Sequence, residues 1–194
     1  KSKAGFYKKT DDGILSIDLK TGEYKAQKKV LFDGYRAAKG FQKVADRIKS
    51  LAFNDDKSGK FFWEITADSL IYSANRIPEI SDDIINIDNA MKWGYGWELG
   101  PFEVWDAMGV QETVSRMKKE NKNVPSWVDE MLSSGRETFY ELTNGKRTYY
   151  DVLSSSVKTT EDNPKVINLS LKKSGNNLIK RDWSASLIDL GDGV

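Results

Sequence analysis

Neither cysteine nor histidine occurs in the 194 residues. Their absence removes disulfides, thiolate nucleophiles, zinc fingers, imidazole bases and Ser-His-Asp triads from the available chemistry. A cysteine-free chain is compatible with a reducing compartment. Proline is scarce, at 4, and glycine stands at 15, which argues against long disorder. No apolar run approaches the ~20 residues that a membrane-spanning helix needs. An excess of one charge is missing too: 30 Lys and Arg against 29 Asp and Glu leave a net +1. No surface dedicated to nucleic acid or anionic membrane is therefore expected. The sequence opens at Lys1 with no initiator Met, signal peptide or transit pattern, and reads as a piece of something longer.

What is present suits a soluble domain with a real core. Charged residues make up 30% and the mean hydropathy is -0.58. Residues 1–32 read as short strands. Phe6-Tyr7 precede Asp11-Asp12-Gly13, and Ile14, Leu15, Ile17 and Leu19 precede Thr21-Gly22, with turn residues between apolar pairs. From 35 to 52 the period becomes helical, with Phe41, Val44, Ile48 and Leu51 on one face and Asp33 as the expected N-cap. The strongest helix is expected over 57–77. Trp63, Ala67, Leu70, Ala74 and Ile77 form its face, Phe61, Phe62, Ile65, Ile71 and Tyr72 widen it, and Pro78 stops it. Ser81-Asp82-Asp83 opens the next helix, with Ile84, Ile87 and Met91 on its face and Gly94 and Gly96 at its end. Short helices follow after Gly100-Pro101, after Gly109 and at Pro125. Residues 138–142 and 147–150 flank Asn144-Gly145 as a hairpin. Residues 153–164 are Ser/Thr-rich and read as a linker, with short strands expected at 166–169 and 185–190. Both Gly5-Phe6-Tyr7 and Phe139-Tyr140 start hairpins, a hint of internal repetition.

Several patterns could carry chemistry. Gly94-Tyr-Gly-Trp-Glu-Leu-Gly100 has the glycines of a dinucleotide loop, but a helix precedes it where a strand is required. It reads better as a tight helix-to-helix turn. Ser115 with Lys118, Ser170 with Lys173, and Lys20-Thr-Gly22 match pieces of a β-lactamase signature in the wrong order, with no Ser-Asp-Asn. They read as helix surface and turn. Glu98, Glu103 and Asp106 are close in sequence, and paired carboxylates can do acid/base work. They lie among Trp93, Tyr95, Trp97, Phe102 and Trp105, so a packed corner with carboxylates bonded to backbone donors is the favoured reading. Asp88 is expected to accept hydrogen bonds from the glycine turn that follows it. Lys28-Lys29 and Lys172-Lys173 are short clusters read as solvated faces.

From Ile87 to Asp106 the chain resembles the C-terminal helical domain of the 3-hydroxyacyl-CoA dehydrogenases of fatty acid β-oxidation. The residues that carry the resemblance are Asp88, Ala90, Met91, Gly94, Gly96, Gly100, Pro101, Phe102 and Asp106. Lys1 to Lys8 resembles the close of that family's first helical half-domain, with Lys3 in place of a common glycine. Residues 185–194 resemble the entry to a crotonase-type enoyl-CoA hydratase domain, the order found in a bifunctional β-oxidation enzyme.

The resemblance implies a mainly α fold, a helical bundle like the C-terminal domain of 6-phosphogluconate dehydrogenase, with small β-hairpins at both ends. It implies three stretches. Residues 1–32 are the tail hairpin of a first half-domain, 33–152 a second helical repeat with its closing hairpin, and 153–194 a linker and hydratase entry. In that family NAD and the catalytic His-Glu pair sit on an upstream domain. The resemblance therefore implies no catalytic, cofactor or metal residue in this stretch. It further implies a cytoplasmic setting and contacts to the Rossmann and hydratase domains, to acyl-CoA at the cleft, and to a second subunit. The rival reading is a non-enzymatic helical interaction module that shares the fold.

Overall fold

The structure is a computed structural model and describes residues 5–27, 30–143, 145–161 and 165–191. Lys1 to Lys3, Lys28-Lys29, Asn144 and residues 192–194, on which several sequence expectations fall, lie outside the described residues. The order is β1 (Tyr7–Thr10), β2 (Gly13–Ile17), β3 (Tyr24–Ala26), α1 (Asp33–Lys39), α2 (Val44–Ala52), α3 (Lys57–Ala74) and α4 (Ile84–Tyr95). There follow α5 (Pro101–Met108), α6 (Val110–Lys119), α7 (Ser126–Ser133), β4 (Tyr140–Thr143), β5 (Lys146–Asp151) and β6 (Ser156–Thr159). The last elements are α8 (Leu169–Ser174), β7 (Leu178–Arg181) and β8 (Ser186–Ile188). The fold is mainly helical, with small antiparallel sheets of order β1-β2-β3, β4-β5-β6 and β7-β8.

The core is built around α3 and α5. Trp63, Ala67, Leu70 and Ala74 of α3 are buried against Phe102, Trp105 and Met108 of α5 and Val110, Val114 and Met117 of α6. The expected α3 face is therefore correct, and its expected widening holds for Phe62 and Ile71, which pack half-buried against this core, but not for the other three residues. Phe61, Ile65 and Tyr72 are exposed. They recur along the opposite flank, which no described element covers, so α3 has one buried and one bare apolar stripe. Asp56 caps α3, its Oδ1 accepting from Gly59 N at 2.9 Å.

The helix expected over 35–52 is two helices. α1 stops at Gly40, and the Arg47 side chain donates to Phe41 O at 2.6 Å and Gln42 O at 3.1 Å, fixing the connection. Phe41 thus leaves the helical face. Asp33 is not the cap of α1: Phe32 holds that position, and the Gly34 amide donates across to Asp56 Oδ2 at 2.8 Å. One carboxylate thereby serves two helix starts. Pro125 is itself the cap residue of α7, one place earlier than expected.

Two further stretches differ from the sequence expectation. Residues 156–159, read as linker, form β6 against β5, with Tyr150 opposite Val157. The stretch around Leu169, read as a strand, is the helix α8, capped by Asn168 accepting from Ser170 N and Leu171 N. Residues 186–188 are a strand as expected, and their partner is β7 within the same chain.

Candidate functional site

The Asp88 to Asp106 segment folds into two helices and a turn. Asp83 caps α4, accepting from Asn86 N at 2.7 Å, which starts the helix that carries Asp88. Gly96 ends α4 at φ 68, a left-handed conformation costly for any residue with a Cβ. Gly100 then precedes Pro101 at the start of α5. Gly100 has ordinary φ, but a Cβ there would run into Cβ and Cγ of Asp88. Glycine is needed because α4 and α5 touch at that point.

That contact places Asp88, fully buried, against the first turn of α5. Its Oδ1 accepts from Phe102 N at 2.8 Å and its Oδ2 from Glu103 N at 3.3 Å. The Tyr140 hydroxyl donates to the same Oδ2 at 2.9 Å. The donors are thus the α5 amides beyond the glycines and a tyrosine, where the glycine turn itself was expected to supply them. Asp106, one turn further along α5, accepts from Phe139 N at 2.7 Å and Tyr140 N at 2.9 Å. Two carboxylates therefore hold Tyr140 at both its backbone and its hydroxyl and lock β4 onto the helices. Phe139 is fully buried and packs edge-on against Phe102, with ring centroids 5.1 Å apart.

Burial pushes Asp88 up to about 7, against the pull of the Phe102 amide and the Tyr140 hydroxyl. Burial likewise pushes Asp106 to about 7. Burial and the neighbouring Asp88 raise the Tyr140 hydroxyl. Glu103 differs. Burial pushes it up, but the Gly100 amide at 2.8 Å, Arg147 at 2.6 Å and Lys92 at 3.0 Å together hold it below its ordinary value. The cluster is a set of carboxylates bonded to backbone and cationic donors.

Of the nine motif residues, the structure gathers Asp88, Gly100, Pro101, Phe102 and Asp106 at this junction. Ala90, Gly94 and Gly96 lie on the exposed side and Met91 is half-buried. Glu98 is exposed and takes no part, as are Trp93, Tyr95 and Trp97 from the expected aromatic corner, whereas Phe102 and Trp105 are buried. Sequence reasoning missed Tyr140, Lys92 and Arg147. The repeated Phe-Tyr pair was the one available signal for Tyr140.

The Gly94 to Gly100 loop does not fit NAD. It follows helix α4, and the amides at the start of α5, which a pyrophosphate would use, are already bonded to Asp88 and Glu103. Beside this junction an apolar groove of about 420 Å³ runs between α2, α3 and the start of α5. Val44, Ile48, Phe61, Ile65, Trp97 and Val104 line it. Among the described residues there is no group of acidic side chains arranged to hold a metal ion, and no helix is long and apolar enough to cross a membrane.

A helical chain with this carboxylate-stapled turn is similar to one class of proteins, the 3-hydroxyacyl-CoA dehydrogenases and fatty acid oxidation enzymes. One relative is a probable 3-hydroxyacyl-CoA dehydrogenase from Bacillus subtilis (strain 168), 41% identical over 194 residues. That alignment covers all of this chain and 24% of the relative, so the chain corresponds to about a quarter of that protein. Two others are putative fatty acid oxidation complex trifunctional enzymes. The Rickettsia felis protein is 33% identical over 100 residues, 50% of this chain and 14% of its own length. The Rickettsia prowazekii protein is 39% identical over 57 residues, 29% of this chain and 8% of its own. No family model matches the chain, and no solved structure matches it. The resemblance carried by the Asp88 to Asp106 motif thus extends, in the first relative, over every residue of the chain.

Proposed function

We propose that this chain is the helical portion of an NAD-dependent 3-hydroxyacyl-CoA dehydrogenase of fatty acid β-oxidation. The full-length protein would oxidise a 3-hydroxyacyl-CoA to the 3-ketoacyl-CoA. The observation that carries the reading is 41% identity to the Bacillus subtilis protein across the whole chain. The nine motif residues act structurally in this reading, with Asp88 and Asp106 as staples. Without histidine, and with the α5 amides already taken, this stretch binds no NAD and performs no catalysis itself. The bundle is of the 6-phosphogluconate dehydrogenase C-terminal type, and 153–194 lead toward a hydratase domain in a cytoplasmic enzyme.

The role left for this stretch is to wall the acyl-CoA cleft and to contact the rest of the enzyme. The groove beside Trp97 and Val104 is the surface suited to an acyl chain, because its lining is almost entirely apolar. The test is NADH formation from 3-hydroxyacyl-CoA by the full-length protein, with Ile65→Asp measured alongside. Turnover by the parent and a several-fold higher KM in the variant at similar kcat are expected. A folded full-length protein with no turnover would overturn the enzyme reading and favour a non-enzymatic module. An unchanged KM would remove the groove from the cleft.

A further inference from the structure

Lys172, read from the sequence as part of a solvated face, is half-buried. It lines a cavity of about 800 Å³ that lies between α4, the β4-β5 hairpin and α8. Two glycines close one wall. Gly145, at φ 75, lets the hairpin tip approach Gly175 at the end of α8, where a Cβ on Gly145 would stand 3.3 Å from Gly175 Cα.

Four cations line this cavity: Lys92, Lys146, Arg147 and Lys172. Lys92 and Arg147 bond to the same Oε1 of Glu103, at 3.0 Å and 2.6 Å, while Oε2 accepts from Gly100 N. One negative charge thus answers two positive ones. The Arg147 guanidinium also lies over the Tyr140 ring, 4.0 Å from its centroid, so it is held from two sides. The side chains of Lys146 and Lys172 have no partner among the described residues. Glu161 is the acid among the described lining residues. Counting Glu103 behind the wall, four positive charges meet two negative ones.

The remaining lining suits an organic body. The side-chain amides of Asn89 and Asn176 have no hydrogen-bond partner among the described residues, and Ile85 and Leu171 add apolar surface beside them. The volume is that of a small-molecule site and far exceeds a phosphate group alone.

We infer that this cavity binds an organic phosphate monoester of about nucleotide size. A terminal phosphate brings close to two negative charges and three acceptor oxygens, which match the two cations in excess. Lys146 and Lys172 close on it beside the fixed Arg147. Asn89 and Asn176 bond the polar edges of the attached body, which rests on Ile85 and Leu171. A carboxylate would leave one positive charge unanswered. The site is separate from the apolar groove at α2, α3 and α5, and the inference does not rest on the dehydrogenase reading.

Hydrogen exchange on the full-length protein tests it, with adenosine monophosphate, adenosine and inorganic phosphate as probes. NAD is kept saturating, so that the dinucleotide site that the dehydrogenase reading places upstream is filled. The expected result is slowed exchange at 145–147 and 169–177 with millimolar adenosine monophosphate and none with adenosine. Lys172→Gln is expected to weaken the monophosphate about tenfold, and Lys172→Arg to restore it, while exchange at 138–143 stays as in the parent and reports an intact fold. No slowing with the monophosphate, or equal slowing with adenosine, would overturn the inference. So would undiminished affinity in Lys172→Gln. Inorganic phosphate binding as tightly as the monophosphate would overturn it too, since the site would then hold a free ion and no organic body.

Discussion

Asp88 joins three segments that are distant in sequence: it is carried on α4, accepts from the start of α5, and accepts from Tyr140 on β4. Removing its carboxylate leaves buried donors unpaired, so Asp88→Ala is expected to cost ~1–3 kcal/mol in a denaturant melt. A melt unchanged from the parent would contradict the staple. The pH dependence follows from burial. Asp88 and Asp106 bind protons more tightly folded, at about 7, than at their ordinary value of 3.8. The stability that this tighter binding contributes is complete below the ordinary value and is lost as pH rises through about 7. Lys92 and Arg136 oppose the rise and Glu103 adds to it. The melting temperature should therefore fall from about pH 4 to about pH 7, and Asp106→Asn should flatten the slope. The glycines separate at the same scale. Gly96→Ala, at positive φ, should destabilise by ~1 kcal/mol, and Gly100→Ala by more, through its clash with Asp88. Gly94→Ala, in open space within α4, should stabilise by ~0.5–1 kcal/mol.

At the scale of the element, α3 divides into two stripes with different duties. Leu70 is buried among α5 and α6 residues, and Leu70→Ala should cost ~2–5 kcal/mol. Phe61 is exposed on the other flank, and Phe61→Ser should change the stability of the 194-residue chain by less than ~0.5 kcal/mol. Equal losses at both positions in thermal melts would mean that the second stripe is covered. Periodicity located α3 and its buried stripe because a helix repeats its faces. It overcounted the burial because apolar character does not say which side a neighbour occupies. The break at Gly40 escaped for a related reason: the pattern of Val44, Ile48 and Leu51 continues back to Phe41, while the break itself is held by Arg47 bonding the connection.

At the scale of the whole molecule, the chain consists of a helical core with a three-stranded sheet on either side of it in sequence, followed by α8 and the β7-β8 hairpin. In the dehydrogenase reading the isolated chain should show no NAD binding by calorimetry, because the helix start that could hold a pyrophosphate is occupied by Asp88 and Glu103. Micromolar binding would refute that assignment.

The sequence by itself determined the mainly helical class of the fold, the start of α3 near residue 57, the acidic start of α4 at Asp83, the motif from Asp88 to Asp106 and the resemblance of that motif to a family. These depend on local chemistry: cap residues, glycines and side-chain period act within a few positions of one another. Tertiary structure alone decided that Asp88 and Asp106 both close on Tyr140, that Trp93 and Trp97 face outward while Trp105 is buried, and that residues 156–159 complete a sheet. Each of these depends on which distant segment arrives beside a residue. A carboxylate has the same local sequence whether water or a backbone amide from another element meets it.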